Sequence, residues 1–249
     1  MSEAAIICAR GLRRVFANGV VALDGVDFDV RRGQVISIIG PSGSGKSTLI
    51  ASLNGLETPD AGEITVEGRR IALGDERAWR RVRQDVGMVF QDYALFPHLS
   101  VLQNVTLAPL RCGRLRRDEA EAYSLDLLRR VGMADKAHAR PAELSGGQQQ
   151  RVAIVRALAM KPKVLLFDEP TSALDPETIR DVLDVMQRLA REGMTMVVVT
   201  HEIGFAQEVA DRLVFMADGR IMEDGPPAAL MALPGTRRLA GFLSHLMHH

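Results

Sequence analysis

The segment Gly40-Pro41-Ser42-Gly43-Ser44-Gly45-Lys46-Ser47 restricts the possible folds of this chain more than any other. Its glycines allow the backbone to turn its N–H groups inward, and the apolar residues 35–39 before it predict a buried strand. Residues 48–54 predict a short helix that ends at Gly55. A strand, a glycine-rich loop and a helix in this order form a pocket for nucleotide phosphates, because the helix N-terminus adds partial positive charge. We therefore expect Lys46 to hold the β- and γ-phosphates and Ser47 to offer its hydroxyl to Mg²⁺, with an ordinary Gly/Ser-rich turn as the alternative.

Charge and hydropathy limit the classes of partner. The chain of 249 residues has 31 Lys and Arg against 31 Asp and Glu, so no overall field indicates a nucleic-acid partner, and we expect none. Apolar runs such as residues 164–167 are far shorter than the ~20 residues that cross a bilayer, and the start Met1-Ser2-Glu3 shows no secretory signal. The two cysteines have no paired spacing, which fits a reducing compartment. Any membrane association is therefore expected to come through a partner protein.

The order of the expected strands and helices predicts an α/β fold. The early part of the chain predicts three strands, at residues 6–16, 26–30 and 64–68. Turns separate these strands, which predicts a mainly antiparallel sheet. Residues 86–90 predict another strand, and residues 102–131 predict a helical insertion. After Pro162 the chain alternates strand, amphipathic helix and strand, which predicts βαβ units and a parallel sheet. Asp218-Gly219 predicts a hairpin turn.

Two carboxylates follow the apolar strand at residues 164–167. Asp168 is placed to bind Mg²⁺ through its water shell, and Glu169 is then free to orient or deprotonate an attacking water. The alternative is an acidic strand end that only caps the next turn. The phosphate loop earlier in the chain favours the catalytic interpretation.

The segment Leu144-Ser145-Gly146-Gly147-Gln148 predicts a capped helix start. Ser145 followed three residues later by Gln148 is a capping-box pattern, and the helix continues to the break at Pro162. The two glycines lower helix stability without helping the cap, so we expect another group to approach closely there. A helix N-terminus without side chains is also suited to an anion.

Together these motifs resemble an ATP-binding cassette (ABC) ATPase, and the resemblance covers nearly the whole chain. It implies a Walker A loop from Gly40 to Thr48, a Walker B strand with Asp168 and the catalytic Glu169, and a signature motif that contains Ser145, Gly146, Gly147 and Gln148. It further implies that Gln91 is the Q-loop glutamine with a role at the metal, Asp175 belongs to the D-loop, His201 senses the γ-phosphate and Phe16 stacks on adenine. For His201 a purely structural histidine is the alternative, and for Phe16 an ordinary core aromatic. The implied cofactors are ATP and Mg²⁺, with Ser47, Gln91 and Asp168 near the metal.

The resemblance also implies the domain organisation and the assembly. Residues 1–249 are expected to form one P-loop NTPase domain, with a RecA-like parallel-sheet core made by residues 1–90 and 160–249. An antiparallel β subdomain and a helical subdomain of about 92–159 complete it. Two copies are expected to pack head to tail, so that the signature motif of one closes over ATP held by the Walker A loop of the other.

Finer similarity favours the ATPase subunit of a bacterial importer, specifically of the polar amino acid uptake family. The segments that carry this similarity are residues 145–163, 194–212, 225–227 and 236–243. Its direct partners would be membrane permease subunits, and a solute-binding protein would be an indirect partner. The chain would then lie at the cytoplasmic face of the inner membrane. Tyr93-Ala94 departs from the Phe-Asn of many amino acid cassettes and is also seen in sugar cassettes. The exposed Leu95-Phe96 is expected either to dock the permease or to be local core, and cassettes of other solute importers, of export or lipoprotein-release complexes, or of soluble ABC ATPases remain the alternatives.

Overall fold

The strands form two sheets with different topologies. The structure is a computed structural model that describes residues 5–247, so the start Met1-Ser2-Glu3 and the outermost ends of the expected domain lie outside the described residues. The strands are β1 (Ile7–Val15), β2 (Val21–Val30), β3 (Val35–Ile39), β4 (Ala61–Val66), β5 (Arg69–Ile71), β6 (Val86–Val89), β7 (Val164–Asp168), β8 (Thr195–Val199), β9 (Arg212–Ala217) and β10 (Arg220–Gly225). One sheet is antiparallel with the order β2-β1-β4-β5, and the other has the order β10-β9-β3-β8-β7-β6 with parallel pairs from β9 to β6.

The helices are α1 (Lys46–Asn54), α2 (Glu76–Asp85), α3 (Val101–Arg111), α4 (Arg117–Arg130), α5 (Gly146–Leu158), α6 (Pro176–Arg191), α7 (Ile203–Val209), α8 (Pro227–Ala232) and α9 (Arg237–Met247). Short 3₁₀ turns occur at Ala134–Lys136 and Pro141–Glu143. None of the helices described between residues 5 and 247 has the length and apolar character needed to cross a membrane.

The described residues form three hydrophobic clusters, and two of them connect the parallel sheet to the antiparallel sheet and to the inserted helices. In the first, Phe28 of β2 and Leu49 of α1 are both fully buried and join the antiparallel sheet to the parallel one. In the second, Ile154 of α5 and Phe167 of β7 are fully buried and join the helices inserted between β6 and β7 to the other side of the parallel sheet. The parallel strands read as continuous apolar runs because both of their faces are covered.

The expected α/β architecture is confirmed, with one local difference in the inserted helices. The helical stretch expected at residues 102–131 is two helices, because the chain turns between α3 and α4 at Gly113, where φ is +64°. Helix α2 contains Arg77, Arg80, Arg81 and Arg83, an arginine cluster for which a solvated helix face is the interpretation from the sequence. It begins at Asp75, whose carboxylate accepts hydrogen bonds from the backbone of Arg77 and Ala78, and it buries Trp79.

Candidate functional site

The phosphate loop connects the end of β3 to the start of α1. Gly40 and Gly45 have φ angles of +152° and +99°. An added Cβ on Gly40 would lie 2.1 Å from the carbonyl oxygen of Met216, and one on Gly45 would lie 2.1 Å from that of Ala22. Only glycine fits such positions. Gly45 also begins α1 without any side-chain cap, and the first turn contains no acidic residue. The free N–H groups and the positive end of the helix dipole therefore face the loop, as a phosphate requires.

Two polar side chains of the loop are buried. Lys46 is only 4% exposed, and its Nζ donates to the carbonyls of Gly40 at 2.9 Å and Pro41 at 3.0 Å. Burial lowers the pKa of Lys46, while the carboxylates of Glu169 and Asp168 act in the opposite direction. The buried Ser44 hydroxyl has no hydrogen-bond partner among the described residues, and a buried unpaired donor is well suited to a ligand oxygen. Pro41, Ser42 and Gly43 form the exposed rim of the loop.

Ser47 and Asp168 lie beside each other although they are far apart in sequence. The Ser47 hydroxyl donates to the Asp168 carboxylate at 2.7 Å. Burial raises the pKa of Asp168; the hydrogen bond from Ser47 opposes this shift, and the neighbouring charge of Glu169 adds to it. A hydroxyl and a carboxylate at the mouth of a phosphate loop form an oxygen donor set that fits Mg²⁺. Thr48, the next residue of α1, is half-buried.

Glu169 and His201 meet at the carboxyl edge of the parallel sheet. Strands β7 and β8 pair with Asp168 opposite Val199, so the residues that follow both strands emerge at the same edge. Nε2 of His201 lies 3.3 Å from Oε1 of Glu169. Glu169 has a φ of +45°, a left-handed conformation that costs on the order of 1 kcal/mol and often marks functional positions. Its backbone is held by a hydrogen bond from its N–H to the carbonyl of Val199, at 3.0 Å.

The predicted capping box is present at the start of α5. The backbone N–H of Gln148 donates to the Ser145 hydroxyl at 3.4 Å, and the N–H of Ser145 donates to the Gln148 side chain at 3.0 Å. An added Cβ on Gly146 would lie 2.8 Å from the Tyr93 hydroxyl, and one on Gly147 would lie 2.8 Å from Cβ of Thr178. The close approach expected at these glycines therefore comes from side chains of the same chain.

Three further residues were predicted to belong to the site, and they are Phe16, Gln91 and Asp175. Phe16 lies in the turn between β1 and β2, half-buried, with the Arg14 guanidinium 5.2 Å from its ring centroid. Phe16 is not part of the hydrophobic clusters formed by the described residues, so it is not an ordinary core aromatic. Gln91 is exposed shortly after β6. Asp175 is exposed at the start of α6, where its side chain makes no capping hydrogen bond.

The structure therefore brings together Lys46, Ser47, Asp168, Glu169 and His201. The signature residues lie apart from this group. Ser145 bonds within its own capping box, and the side chains packed on Gly146 and Gly147 belong to Tyr93, Leu174 and Thr178, not to the phosphate loop.

Sequence reasoning missed Arg156 and the contacts that Tyr93 makes. Arg156 of α5 donates to the carbonyls of Tyr93 and Ala94, and the Tyr93 hydroxyl donates to the carbonyl of Ala173 at 3.2 Å. Neither contact has a signal in the sequence, because each joins side chains to backbone groups more than sixty residues away.

The chain is similar to known proteins along most of its length. Residues 23–172 match the family model described as ABC transporter. The chain is 55% identical to the glutamine transport ATP-binding protein GlnQ of Geobacillus stearothermophilus, over 91% of this chain and 93% of the relative. It is 54% identical to the glutamate transport ATP-binding protein GluA of Corynebacterium glutamicum, over 92% and 94% of the two chains.

Two solved structures are similar along most of the chain. One is the ATP-binding cassette MJ0796, a dimer in a post-hydrolysis state bound to ADP and Pi, with a TM-score of 0.81, 34% identity and coverage of 89% of this chain and 98% of that one. The other is cbiO1 of Clostridium perfringens, part of the transporter complex cbiONQ, with a TM-score of 0.83, 31% identity and coverage of 99% and 100%.

Proposed function

This chain belongs to the ABC transporter family and is an ATPase of that family, and on this premise we propose that it energises the uptake of a polar amino acid through membrane permease subunits. The observation that carries the proposal is the grouping of Lys46, Ser47, Asp168, Glu169 and His201 around an uncapped helix start. The relatives named as glutamine and glutamate transport ATP-binding proteins favour an amino acid as the solute. They argue against a sugar, which the segment Tyr93-Ala94 alone would also allow.

ATP binding would use the phosphate loop. Residues 40–48 supply backbone N–H groups and the positive helix end, and Lys46 exchanges its contacts with two loop carbonyls for phosphate oxygens. The Ser44 hydroxyl gains the partner that it lacks. Mg²⁺ would be held by Ser47 and Asp168, with Gln91 nearby, and would neutralise the charge that develops on the phosphates. Phe16 offers an aromatic face to the adenine.

Hydrolysis would depend on Glu169 and His201. The Glu169 carboxylate accepts the proton of the attacking water, since it lies at the carboxyl edge of the sheet beside Asp168. His201 contacts the same carboxylate and is placed to orient it and to reach the γ-phosphate. The left-handed backbone of Glu169 directs this side chain.

The active form would be a head-to-tail dimer of two copies. Ser145 is exposed, at a helix N-terminus, and the groups packed around the signature glycines are not those of the phosphate loop. A second copy can therefore present its Ser145 and helix start to ATP bound by the first. The similar cassette solved as a dimer supports this arrangement.

A groove between β6, α3 and α5 is the proposed docking site for the permease. It has a volume of about 360 Å³ and apolar walls that include Met88, Phe90, Phe96 and Leu107. Phe96 is 43% exposed at its rim, so the apolar surface of the groove is continuous with the protein surface and open to a partner. An apolar helix of the permease would occupy the groove at the cytoplasmic face of the inner membrane, and a solute-binding protein would deliver the amino acid on the other side.

The first experiment measures ATP hydrolysis and the oligomeric state of the purified chain. Glu169→Gln should bind Mg-ATP and accumulate as a dimer, with hydrolysis reduced by about 100-fold or more, because the carboxylate no longer accepts the proton. Glu177→Gln changes an exposed carboxylate in the first turn of α6 and serves as the control. Full hydrolysis by Glu169→Gln, or by a strictly monomeric wild type, would contradict the assignment.

The second experiment measures the uptake of radiolabelled glutamine and glutamate by cells that depend on this chain. Phe96→Asp should abolish uptake and leave hydrolysis by the isolated chain unchanged, because the charge is placed in the docking groove. Leu233→Asp places the same charge on a residue that is 82% exposed elsewhere and should keep both activities. Normal uptake with Phe96→Asp rules out this groove as the permease site. If cells without the chain still take up both glutamine and glutamate normally, neither amino acid is the solute.

A further inference from the structure

Residues 91–96, which we call the docking segment, contain two consecutive strained residues. Tyr93 and Ala94 have φ angles of +61° and +47°, in the left-handed region that side chains other than glycine rarely adopt. Such conformations persist only where the surroundings hold them in place, and they often occur in switch regions. The contacts that hold this pair therefore show what the segment is connected to.

The first of these contacts is Arg156 in the second half of α5. Its guanidinium donates to the carbonyl of Ala94 at 2.5 Å and to that of Tyr93 at 3.1 Å. Burial lowers the pKa of Arg156, against the charge of Asp92. Ala94 and Arg156 also line the apolar groove described above, so an occupant of the groove would touch this part of the segment directly.

The second contact joins the segment to the loop of residues 172–175. The Tyr93 hydroxyl donates to the carbonyl of Ala173 at 3.2 Å and lies against Gly146, the first residue of α5. Leu174 packs on the same glycine, since an added Cβ there would be 3.2 Å from its Cδ2. Burial raises the pKa of Tyr93, and the carboxylate of Asp175 adds to the shift, so the phenol keeps the proton that it donates.

We propose that Tyr93 is a positioning residue that ties the loop of residues 172–175 to the docking segment, so that movement of the segment moves Asp175 and the start of α5 together. The segment touches the groove through Ala94 and the loop through the Tyr93 hydroxyl. Phenylalanine at this position would keep the ring and remove only the hydroxyl, with its bond to Ala173 and its contact with Gly146. The inference rests on the proposed function in one respect, which is that the groove is where the permease binds.

The test compares Tyr93→Phe with Tyr123→Phe, since Tyr123 is the other tyrosine of the chain. Tyr123 is also partly buried, with its pKa raised by burial, but it lies on α4 against Lys161. The first measurement is amide hydrogen exchange on the nucleotide-free full chain. The informative amides are those of Ser172 and Leu174, which donate to the carbonyls of Glu169 and Thr171 within the loop.

Tyr93→Phe should accelerate exchange in residues 172–175 about fivefold, which is the effect of one typical hydrogen bond, and should leave the central parallel strands unchanged. The second measurement is steady-state ATP hydrolysis. Here kcat should fall about threefold to tenfold while KM for ATP stays within about twofold, because the phosphate loop is untouched. Tyr123→Phe should change neither quantity.

Three results would overturn the inference. They are exchange that accelerates only in residues 91–96, equal effects of the two tyrosine variants, and a uniform acceleration throughout the chain. The exchange measurement requires neither hydrolysis nor a permease. A wild type that does not hydrolyse ATP would therefore refute the proposed function and leave the exchange result to decide the role of Tyr93.

Discussion

Gly147→Ala separates two explanations for the second signature glycine. If the glycine only keeps the helix start open to ATP from a second copy, an added methyl group should not lower the stability of the unliganded chain and should raise it slightly through helix propensity. The structure predicts otherwise, because the new Cβ would lie 2.8 Å from Cβ of Thr178 on α6.

The cost follows from this distance. Ordinary carbon contacts begin near 3.4 Å, so α5 and α6 must separate by about 0.6 Å or strain their side chains. Overpacking of this kind costs about 1–3 kcal/mol, and alanine recovers up to about 1 kcal/mol through its higher helix propensity. We expect a net loss of about 1–2 kcal/mol in the free energy of unfolding. In a chain of this length that lowers Tm by about 2–8 °C.

Thermal and urea denaturation of the nucleotide-free protein measure this loss, and two further changes test its cause. Thr178→Gly removes the opposing Cβ and should recover most of the loss in a double-mutant cycle, whereas Thr178→Ser keeps that atom and should not. Gly204→Ala is the control, since an added Cβ in α7 meets nothing within 4 Å. An unchanged Tm for Gly147→Ala would refute the packing explanation and leave only the role at the nucleotide.

Three further predictions concern the nucleotide site. Burial raises the pKa of Asp168 in the folded state, so the stability that this group contributes is present below the unfolded pKa of about 3.9 and is lost as the pH rises through the folded pKa. The Tm of Asp168→Asn should therefore rise relative to that of the wild type between pH 4 and pH 7. A constant difference in Tm across that range would refute this. Phe16→Ala should weaken ATP binding by about 1–3 kcal/mol and leave competition by tripolyphosphate unchanged, because only the base loses its stacking partner. Lys46→Met keeps the length of the side chain and removes its donors, so ATP affinity should fall about 100-fold in a titration with a fluorescent ATP analogue, and tight binding by this variant would contradict the role of Lys46.

Local features of the site were accessible from the sequence because they depend on bonds between near neighbours. The phosphate loop, the Ser145 capping box and the Asp218-Gly219 turn each involve residues within a few positions of one another. Asp218 and Gly219 have φ angles of +50° and +74°, as the expected hairpin turn requires. Helix α2 also has such signals, since Asp75 caps its first turn and its arginines have the spacing of a solvated helix face.

The sequence by itself determined the class of fold and the phosphate loop, and it predicted which residues would act on a nucleotide. Tertiary structure decided which of them meet. The contact between Ser47 and Asp168 spans 121 positions in the chain, and that between Glu169 and His201 depends on the register of β7 against β8. The packing of Tyr93 and Thr178 against the signature glycines follows only once α5 and α6 are docked on the sheet. Backbone periodicity and turn chemistry are set by neighbours in the chain, whereas these distances are set by how separate elements pack.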